Sequence, residues 1–350
     1  MGQSPDSSSY NEEKIGLPLI QGNADIKDGF SAPKRYTSKP TKICDAGDIL
    51  LTVRAPVGDV SIASEKSCIG RGVCSIKAEK YIYYFLQSKE KHWKKIAQGS
   101  TFTCISSDDV TKLLCNWPNQ NARKKTELFL TKIDERIITQ NKIIKKYESL
   151  IKPLFDSLNK GPKHPVTIGE LGKYVSADSL SWDSINDCGN PVIIYGQLFT
   201  DYKYIIREVI SRTDAILKTV THGNDLLFPS STTVDALSLI APASIKLHNV
   251  FLGGDMFKIE MDIAKFDSDY ISFLIICSYK EELAKYAQGS TIIHLHYDDI
   301  KSFKINICDI EEQKKISNAL NLLLDKITVE KRLLELLRIQ RRYLLGNMFI

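Results

Sequence analysis

Two long stretches of the chain carry apolar residues at steps of three and four, which is the spacing of a heptad seam on an α-helix. The first seam consists of Leu130, Ile133, Ile137, Ile144, Tyr147, Ile151, Leu154 and Leu158. The second consists of Ile316, Leu320, Leu323, Ile327, Leu334, Leu337, Leu344 and Met348. Gln140, Glu330 and Arg341 are the polar interruptions. The pattern predicts two helices, each about 50–60 Å long at about 1.5 Å per residue.

Polar residues and prolines near the ends of these stretches predict where the helices begin. Pro118 precedes the first stretch, and Asn121 is the residue we expect to cap it. Asp309 followed by Glu312 is a capping-box start for the second helix. Pro153 lies inside the first stretch and is expected to kink or end that helix.

A β-rich segment precedes each helix. Residues 1–117 and 161–308 mix short apolar runs with Gly and Pro turns, as at 48–53 and 59–63, and residues 81–97 are helical in pattern. We therefore predict an α+β fold. Its expected segments are a first β-rich domain at 1–117, a first helix at 118–160, a second β-rich domain at 161–308 and a second helix at 309–350.

The chain also repeats itself. The pentapeptide Ala97-Gln98-Gly99-Ser100-Thr101 recurs as Ala287-Gln288-Gly289-Ser290-Thr291. The same shift of about 190 residues brings residues 108–110 onto 298–300 and residues 124–125 onto 314–315. Self-similarity at a fixed offset indicates that one unit, a head followed by a helical arm, is used twice.

A lone helix with such a seam would leave it exposed, so we expect the two seams to pack on each other. The chain order of head, helix, head, helix suits an antiparallel pair of coiled-coil helices with the heads at opposite ends of a rod. A generic dimerising coiled coil is the alternative, but it does not explain why the heads repeat. The expected interface residues are Ile133, Ile137, Ile144, Ile151, Leu323, Ile327, Leu334 and Leu337.

Composition is that of an ordinary globular protein: 350 residues, 43% hydrophobic and 25% charged, with a formal net charge of +5. This mild excess of positive charge permits a nucleic-acid partner without requiring one. The eight cysteines form no C-x-x-C pair and are expected to be buried thiols in a reducing compartment. The N-terminal residues lack an apolar signal core, and the apolar run near 271–277 is too short to span a membrane. A cytoplasmic protein is the expectation.

Two heads held at a fixed separation suit a repetitive partner, and double-stranded DNA, with about 34 Å per turn, is the obvious one. Contacts to bases and phosphates need forked, basic or hydroxyl side chains. In the first head the candidates are Gln21, Asn23, Lys34, Arg35, Tyr36 and Arg54. In the second head they are Gln197, Tyr202, Lys203, Tyr204, Arg207, Arg212, Ser230, Ser231 and Thr232. For each one singly, a solvated surface residue is an equally good interpretation.

Three other patterns have structural as well as chemical interpretations. The Gln-Gly-Ser-Thr turns could hold a phosphate, or their glycines could simply end the preceding helix in the left-handed conformation. His294 and His296 would share a strand face, but no third ligand stands nearby, so no metal is expected. The acidic pairs at 108–109 and 298–299 are expected to form turns or caps.

The sequence bears on two rival function classes, an enzyme and a protein scaffold. A DNA adenine methyltransferase would carry an Asn/Asp-Pro-Pro-aromatic run, and residues 190–192 lack the second proline and the aromatic. The chain has no G-x-x-x-x-G-K-[ST] loop for ATP either, so it is expected to be no enzyme and no motor. The remaining rival is a coiled-coil scaffold that holds proteins and does not recognise DNA.

The ordered motifs resemble those of the specificity (S) subunits of type I restriction–modification systems. The resemblance covers essentially the whole chain and is carried by residues 47–54 (Gly-Asp-Ile-Leu-Leu-Thr-Val-Arg), 69–72 (Ile-Gly-Arg-Gly), both Gln-Gly-Ser-Thr turns and 312–316 (Glu-Gln-Lys-Lys-Ile). It implies two target-recognition domains, each recognising one half of a split DNA site. It also implies that the paired helices dock two methyltransferase subunits and that restriction motor-nuclease subunits complete the complex. S-adenosylmethionine, ATP and Mg are then expected on the partner subunits, with no cofactor on this chain.

The chain departs from this pattern in two places. The first helix has Ala122-Arg123 where the second has Glu312-Gln313. The second head also has residues 166–172 ahead of the position that corresponds to Met1. Two explanations are open: translation starts upstream of Met1, or the first head lacks its opening strand. In the second case we do not expect the first head to be fully active.

Overall fold

The computed structural model describes residues 1–98, with only the backbone of residues 97 and 98, and residues 104–349. It divides into two compact units. Unit 1 comprises Met1–Lys142 with Lys331–Ile350, and unit 2 comprises Ile143–Glu330. The divisions at 142–143 and at 330–331 fall inside the two long helices. Each unit therefore contains one β-rich head and a part of both helices.

The head of unit 1 is made of short strands followed by helices. Its strands are β1 (Tyr10–Asn11), β2 (Leu17–Ile20), β3 (Ile26–Lys27), β4 (Phe30–Ser31), β5 (Tyr36–Thr37), β6 (Ile43–Cys44), β7 (Ile49–Thr52), β8 (Val60–Ile62), β9 (Ser67–Ile69) and β10 (Val73–Ile76). Its helices are α1 (Lys80–Ser88), α2 (Glu90–Gln98) and α3 (Ser107–Thr111), and the first long helix is α4 (Gln120–Leu158). One helical stretch was predicted at 81–97, and the structure has two helices there.

The head of unit 2 has more strands. They are β11 (His164–Thr167), β12 (Gly172–Ser176), β13 (Asn190–Ile194), β14 (Tyr204–Ile206), β15 (Ser211–Thr213), β16 (Val220–His222), β17 (Asp225–Pro229), β18 (Ser231–Thr232), β19 (Ala243–Ile245), β20 (His248–Gly253), β21 (Met256–Met261), β22 (Ile293–His294) and β23 (Lys304–Ile307). The helices are α5 (Gln197–Thr200), α6 (Ala236–Leu239), α7 (Ser268–Leu274), α8 (Lys280–Leu283), α9 (Tyr297–Ile300) and the second long helix α10 (Ile310–Met348).

The main sheets of the two heads share one topology. In unit 1 the strand order β5-β2-β9-β6 has a parallel β2–β9 pair flanked by antiparallel neighbours. In unit 2 the order β15-β13-β20-β16 has the same directions, with β13–β20 parallel. The second sheets also match, since β10-β7-β8-β4 corresponds to β21-β17-β19-β14 and each ends in a parallel pair. The repeat seen in the sequence is thus a repeat of strand order and direction.

The heads differ at several sheet edges. In unit 1 the strand β1 extends one sheet beyond β5, and β3 extends the other beyond β4. In unit 2 the strand β12 extends the sheet beyond β21, and β11 pairs with β23. The described residues of unit 1 contain no strand equivalent to β11, β12 or β23. Beside β10 lies instead the N-terminal segment, where the Gly2 backbone amide donates to the Val73 carbonyl at 2.9 Å.

Both long helices contribute their apolar seams to the cores of the units. In unit 1, Leu130 of α4 packs in one cluster with Leu345 and Phe349 near the end of the chain. In unit 2, Phe155 of α4 packs in one cluster with Leu320 of α10. In unit 1, Asp134 of α4 pairs with Arg341 of α10, while Leu130 lies in the cluster of Leu345, so the two helix segments of this unit run antiparallel. The expected α+β fold with β-rich heads and paired long helices is confirmed.

The predicted seam positions are largely shielded from solvent. Ile137 and Leu323 are partly buried, while the other six are buried: Ile133, Ile144, Ile151, Ile327, Leu334 and Leu337. The polar positions Gln140 and Glu330 are buried as well. A heptad seam places its a and d residues on one helix face, and this face is the one that packs inward.

The ends of the helices correct two sequence-based predictions. Asn119, not Asn121, caps α4, because its Oδ1 accepts a hydrogen bond from the Ala122 amide at 2.9 Å. Pro153 does not end α4, which continues to Leu158. The predicted start of α10 is present, since the Asp309 carboxylate accepts from the Glu312 amide at 2.9 Å.

The burial of the cysteines follows the expectation from composition only in part. Five thiols are buried, but Cys104 and Cys188 are exposed and Cys115 is partly exposed, so the expectation that all eight are buried is wrong for these three. Among the described residues, no helix combines the length and the apolar character that a membrane crossing requires.

Candidate nucleic-acid interface

A concave cleft lies in the head of unit 1 at the ends of β7 and β9. It is lined by Ser4, Tyr10, Gln21, Gly22, Arg54, Ala55, Arg71 and Gly72. The lining contains two arginines and no acidic residue. Among the described residues, neither Arg54 nor Arg71 forms an ion pair with a carboxylate. Both guanidinium groups are exposed, and they are therefore available to an anionic ligand.

The turn between β9 and β10 places Arg71 at the rim of this cleft. Its backbone amide donates to Ser4 Oγ at 3.1 Å, and its Nε donates to the same oxygen at 3.4 Å. A Cβ on Gly72 would lie 2.1 Å from the Gln21 carbonyl oxygen, so only glycine fits at that position. The side chain of Gln21 points to Tyr10, whose hydroxyl accepts from Nε2 at 3.1 Å. The motif at 69–72 is thus a close-packed turn that presents one arginine.

The equivalent place in unit 2 is identified by backbone hydrogen bonds. In unit 1 the Val53 amide donates to Gly72 at 2.9 Å, and Ile105 donates to Val53 at 2.8 Å. In unit 2 the Ser230 amide donates to Asp255 at 2.8 Å, and Leu295 donates to Ser230 at 3.0 Å. Val53 therefore corresponds to Ser230, Gly72 to Asp255, and Ile105 to Leu295.

The next residues on each side correspond as well. Arg54 bridges to Cys104 in unit 1, and Ser231 pairs with His294 in unit 2. Cys104 and His294 are 190 positions apart, which is the offset of the sequence repeat. The two heads thus share one backbone hydrogen-bonding arrangement, the shared frame, formed by residues 53–54, 72 and 104–105 in unit 1 and by residues 230–231, 255 and 294–295 in unit 2. The side chains at these positions differ between the heads.

In unit 2 this frame carries hydroxyl, carboxylate and imidazole groups. Ser231 Oγ donates to Asp255 Oδ2 at 2.7 Å, and Asp255 is exposed. The rings of His294 and His296 are stacked, with centroids 5.9 Å apart. Sequence reasoning named Ser231 here but missed Asp255, and in unit 1 it named Arg54 but missed Arg71.

The other predicted residues of the first head are scattered. Asn23 is exposed and its amide donates to Asp59, while Lys34 and Arg35 are exposed in the loop before β5. Tyr36 is half-buried in β5. The cleft therefore brings together two of the six candidates, Gln21 and Arg54.

Five predicted residues of the second head are buried, and three of them are Gln197, Tyr202 and Tyr204. Gln197 bridges the Ile194 amide and Ser211 Oγ at 3.0 and 2.8 Å. The hydroxyl of Tyr202 accepts from the Ile210 amide at 3.2 Å. Tyr204 stacks on Phe273, and burial raises the pKa of its hydroxyl to about 12. These contacts give all three a packing role within the head.

The predicted cations of the second head differ in their surroundings. Lys203 is exposed, with its ammonium over the ring of Tyr204. Arg212 is exposed and donates to the Gly189 carbonyl at 3.0 Å. Arg207 is bound to α10 through Asn321 and Asp325. Of the three hydroxyl candidates, Ser230 is half-buried, while Ser231 and Thr232 are buried in β18.

A group of side chains in unit 2 has metal-ligand character. His222, Asp225 and Glu260 bring three potential ligand atoms within 4.8 Å of one another. The ammonium of Lys258 lies among them, 2.7 Å from Glu260 and 3.5 Å from Asp225. Although partial burial opposes ionisation, the hydrogen bond and charge of Lys258 hold the pKa of Glu260 below its usual value. Lys258 therefore already supplies the positive charge that a metal would provide.

The remaining sequence motifs have structural roles where they are described. Ser106 caps α3 in a capping box with Asp109, as expected for the first acidic pair. Gly289 has a φ of +121° in a turn closed by two hydrogen bonds between Gln288 and His294. The preceding short helix already ends at Tyr286, with Ala287 extended, so the expectation that this glycine ends the helix is wrong. Residues 99–101 of the first copy lie outside the described residues.

Comparison with known proteins gives consistent matches. Two curated relatives come from Methanocaldococcus jannaschii. A protein assigned as the type I restriction enzyme MjaX specificity subunit is 37% identical over 167 residues, 46% of this chain and 39% of that protein. The type I restriction enzyme MjaIX specificity subunit is 29% identical over 128 residues, 32% of this chain and 30% of that protein. The matches thus span less than half the length of either relative.

Solved structures share the fold at low sequence identity. A chain from a structure that addresses complex assembly and conformational transition of the type I R-M system matches with a TM-score of 0.61 and 16% identity. That match covers 96% of this chain and 90% of the other. The S subunit of the type I restriction-modification system from M. genitalium matches with a TM-score of 0.57 and 17% identity, covering 100% and 92%.

A family model gives the assignment. The type I restriction modification DNA specificity domain matches residues 2–149 and again residues 163–338, which is most of the chain and once for each repeat. The chain belongs to the type I restriction modification DNA specificity domain family.

Proposed function

We propose that this chain is the sequence-specific DNA-recognition subunit of a type I restriction–modification complex, in which each head recognises one half of a bipartite site. The observation that carries the proposal is that the two heads have the same backbone frame and carry different side chains on it. A duplicated frame suits two similar tasks, and different side chains suit two different DNA sequences. Family membership supports this assignment over a scaffold without DNA recognition.

The proposed DNA contacts follow from exposure. In the first head the exposed guanidinium groups of Arg54 and Arg71 line a cleft whose described lining holds no carboxylate, which suits phosphate and base acceptors. In the second head Lys203 and Arg212 are the exposed candidate cations without a carboxylate partner among the described residues, whereas Arg207 is exposed but paired with Asp325. The buried candidates would act on recognition only by holding the head together.

The long helices have two proposed tasks: setting the spacing of the half-sites and docking two methyltransferase subunits. In support of docking, α10 keeps apolar side chains exposed outside its seam. In unit 1 these include Leu333, Leu336 and Tyr343, and in unit 2 they include Leu322 and Val329. Exposed apolar groups in a regular row are typical of a surface that a partner covers.

Catalysis would reside in the partners. We propose that the methyltransferase subunits bring S-adenosylmethionine and that restriction motor-nuclease subunits bring ATP and Mg, while this chain supplies recognition alone. Because the proposed target is DNA, the proposed place of action is the cytoplasm.

Salt-dependent DNA binding tests the proposal. The chain is co-expressed with a type I methyltransferase subunit that copurifies with it, and the purified complex is titrated with labelled genomic DNA fragments at rising salt. Neutralised phosphates release counterions, so affinity should fall steeply and linearly on a log–log plot. Affinity that does not change with salt, or equal binding to an unrelated acidic protein, would contradict DNA recognition.

A further inference from the structure

The equivalent turns at the tips of the two heads have opposite hydrogen-bonding character. We propose that both turns contact base edges, with Arg71 recognising guanine and Asp255 recognising the amino group of cytosine. This inference rests on the proposed function and adds to it the residues and the base class that each head recognises. The guanine edge offers the acceptors O6 and N7, whereas cytosine offers the N4 donor.

Arg71 is positioned for a two-pronged contact. Ser4 Oγ accepts from both its backbone amide and its Nε, so the base of the side chain is tethered. Among the described residues, no carboxylate competes for its Nη groups. A tethered guanidinium keeps its two Nη groups for a ligand, and these match the paired acceptors O6 and N7 of guanine. This is the commonest arginine contact to a base. Arg54, on the same cleft, is placed to meet the adjacent phosphate.

Asp255 is an unusual residue for a DNA-facing tip, because a carboxylate is repelled by phosphates. It is exposed, its Oδ2 is held by Ser231, and no cation among the described residues pairs with it. A carboxylate accepts hydrogen bonds and cannot donate them when ionised. Over a base edge, the amino group of cytosine is the partner that satisfies it, whereas adenine sets the acceptor N7 beside its amino group. A position over the phosphate backbone would be unfavourable.

The shared frame connects the two assignments. Gly72, next to Arg71, and Asp255 itself hold equivalent positions, because each carbonyl accepts from the residue that follows the corresponding strand, β7 in unit 1 and β17 in unit 2. The two turns would therefore meet DNA from the same side of their own heads. One frame can then recognise a guanine with one head and a cytosine with the other.

Single-molecule methylation mapping of cells that co-express the methyltransferase tests this directly. Arg71→Ala should relax one guanine in one half-site, with discrimination at that position falling about tenfold or more. Asp255→Asn should alter a cytosine in the other half-site and favour adenine there, because an amide pairs with the adenine edge. Lys66→Ala and Lys265→Ala, which change exposed lysines beyond the opposite ends of β9 and β21, should leave both half-sites unchanged.

The outcomes separate this inference from the proposed function. If the wild-type chain gives no bipartite motif, the proposed function fails first. If the wild type gives one and both variants keep it base for base, the inference alone is overturned. Arg71→Lys keeps the charge but loses the fork, so it should also relax the guanine. A uniform loss of methylation without any change of sequence would reduce Arg71 to a phosphate contact and overturn the assignment.

Discussion

Arg207 of the second head is bound to Asn321 of α10. Its Nη2 donates both to the backbone oxygen and to the side-chain Oδ1 of Asn321, each at 3.1 Å. Its Nη1 pairs with Asp325 one turn further along the helix. The sequence suggested a DNA contact for this arginine, whereas these hydrogen bonds attach the head to the helix within unit 2.

Replacing Arg207 should therefore affect stability before it affects base recognition. Arg207→Ala removes the hydrogen bonds to Asn321 and should lower the free energy of unfolding by about 1–2 kcal/mol. Thermal or urea unfolding of the full chain measures this loss, with Lys218→Ala as a control for removing an exposed cation. Unchanged stability combined with a changed half-site would mean that Arg207 contacts DNA after all.

The helix seam makes a sharper stability prediction. Leu130 on α4 is 1% exposed and packs in the core of unit 1, whereas Leu128 on the same helix is 61% exposed. Leu130→Ala leaves a cavity and should cost about 2–5 kcal/mol. Leu128→Ala should change stability by less than about 0.5 kcal/mol. Equal effects in denaturant titrations would contradict the packing of this seam.

The ion pair between Lys258 and Glu260 predicts that the stability of the fold depends on pH. Because the Lys258 ammonium outweighs partial burial and depresses the pKa of Glu260 in the folded chain, ionised Glu260 stabilises the fold above its ordinary value of 4.5. That contribution is lost as the pH falls through the depressed folded value. Glu260→Gln should lower the melting temperature at pH 7. On acidification, the melting temperature of this variant should fall less than that of the wild type.

The matched control for this cluster is Glu282→Gln, which changes an exposed carboxylate on α8. Melting temperatures measured from pH 7 to pH 3 should show a steeper acid decline for the wild type and for this control than for Glu260→Gln. Parallel curves for all three proteins would rule out the assigned role of Lys258 and Glu260.

The helices were more predictable from the sequence than the site was. A heptad seam is repeated many times along one element, so the burial of Ile133, Ile151 and Leu334 follows from spacing alone. The residue types near the ends of the helices were a weaker guide to where each helix begins and ends. Asn119 and Asn121 are both good capping residues, and only the backbone geometry selects Asn119. Pro153 is accommodated within α4, although the residue type favours an end.

The candidate site depended on information that spacing does not carry. Polar and aromatic residues in short irregular strands can face either side, so Tyr202, Tyr204 and Gln197 gave the same signal as surface residues although they are buried. Arg71 stood within a quoted motif, but its place beside Arg54 arises from strands distant in sequence. Asp255 gives no such signal in the sequence, because basic and hydroxyl side chains are the usual DNA contacts and an ionised carboxylate is not.

The proposed role of the helices in spacing can be tested by lengthening them. One heptad is inserted into α4 between Ile137 and Ile144, and a matching heptad into α10 between Ile327 and Leu334. Seven residues add about 10 Å of helix, which equals roughly three base pairs of DNA. Methylation mapping should then find the same two half-sites with a longer gap. An unchanged gap in a folded, active variant would contradict the spacing role.

The central claim is that two equivalent heads recognise two separate DNA half-sites. Its most direct test is single-molecule methylation mapping of DNA from cells that carry the methyltransferase subunit with or without this chain. We predict a split motif, two short defined halves with a fixed gap, that is present only with the chain. Methylation of a single undivided motif, or no new methylation when both subunits are shown to be expressed and bound to each other, would contradict the claim.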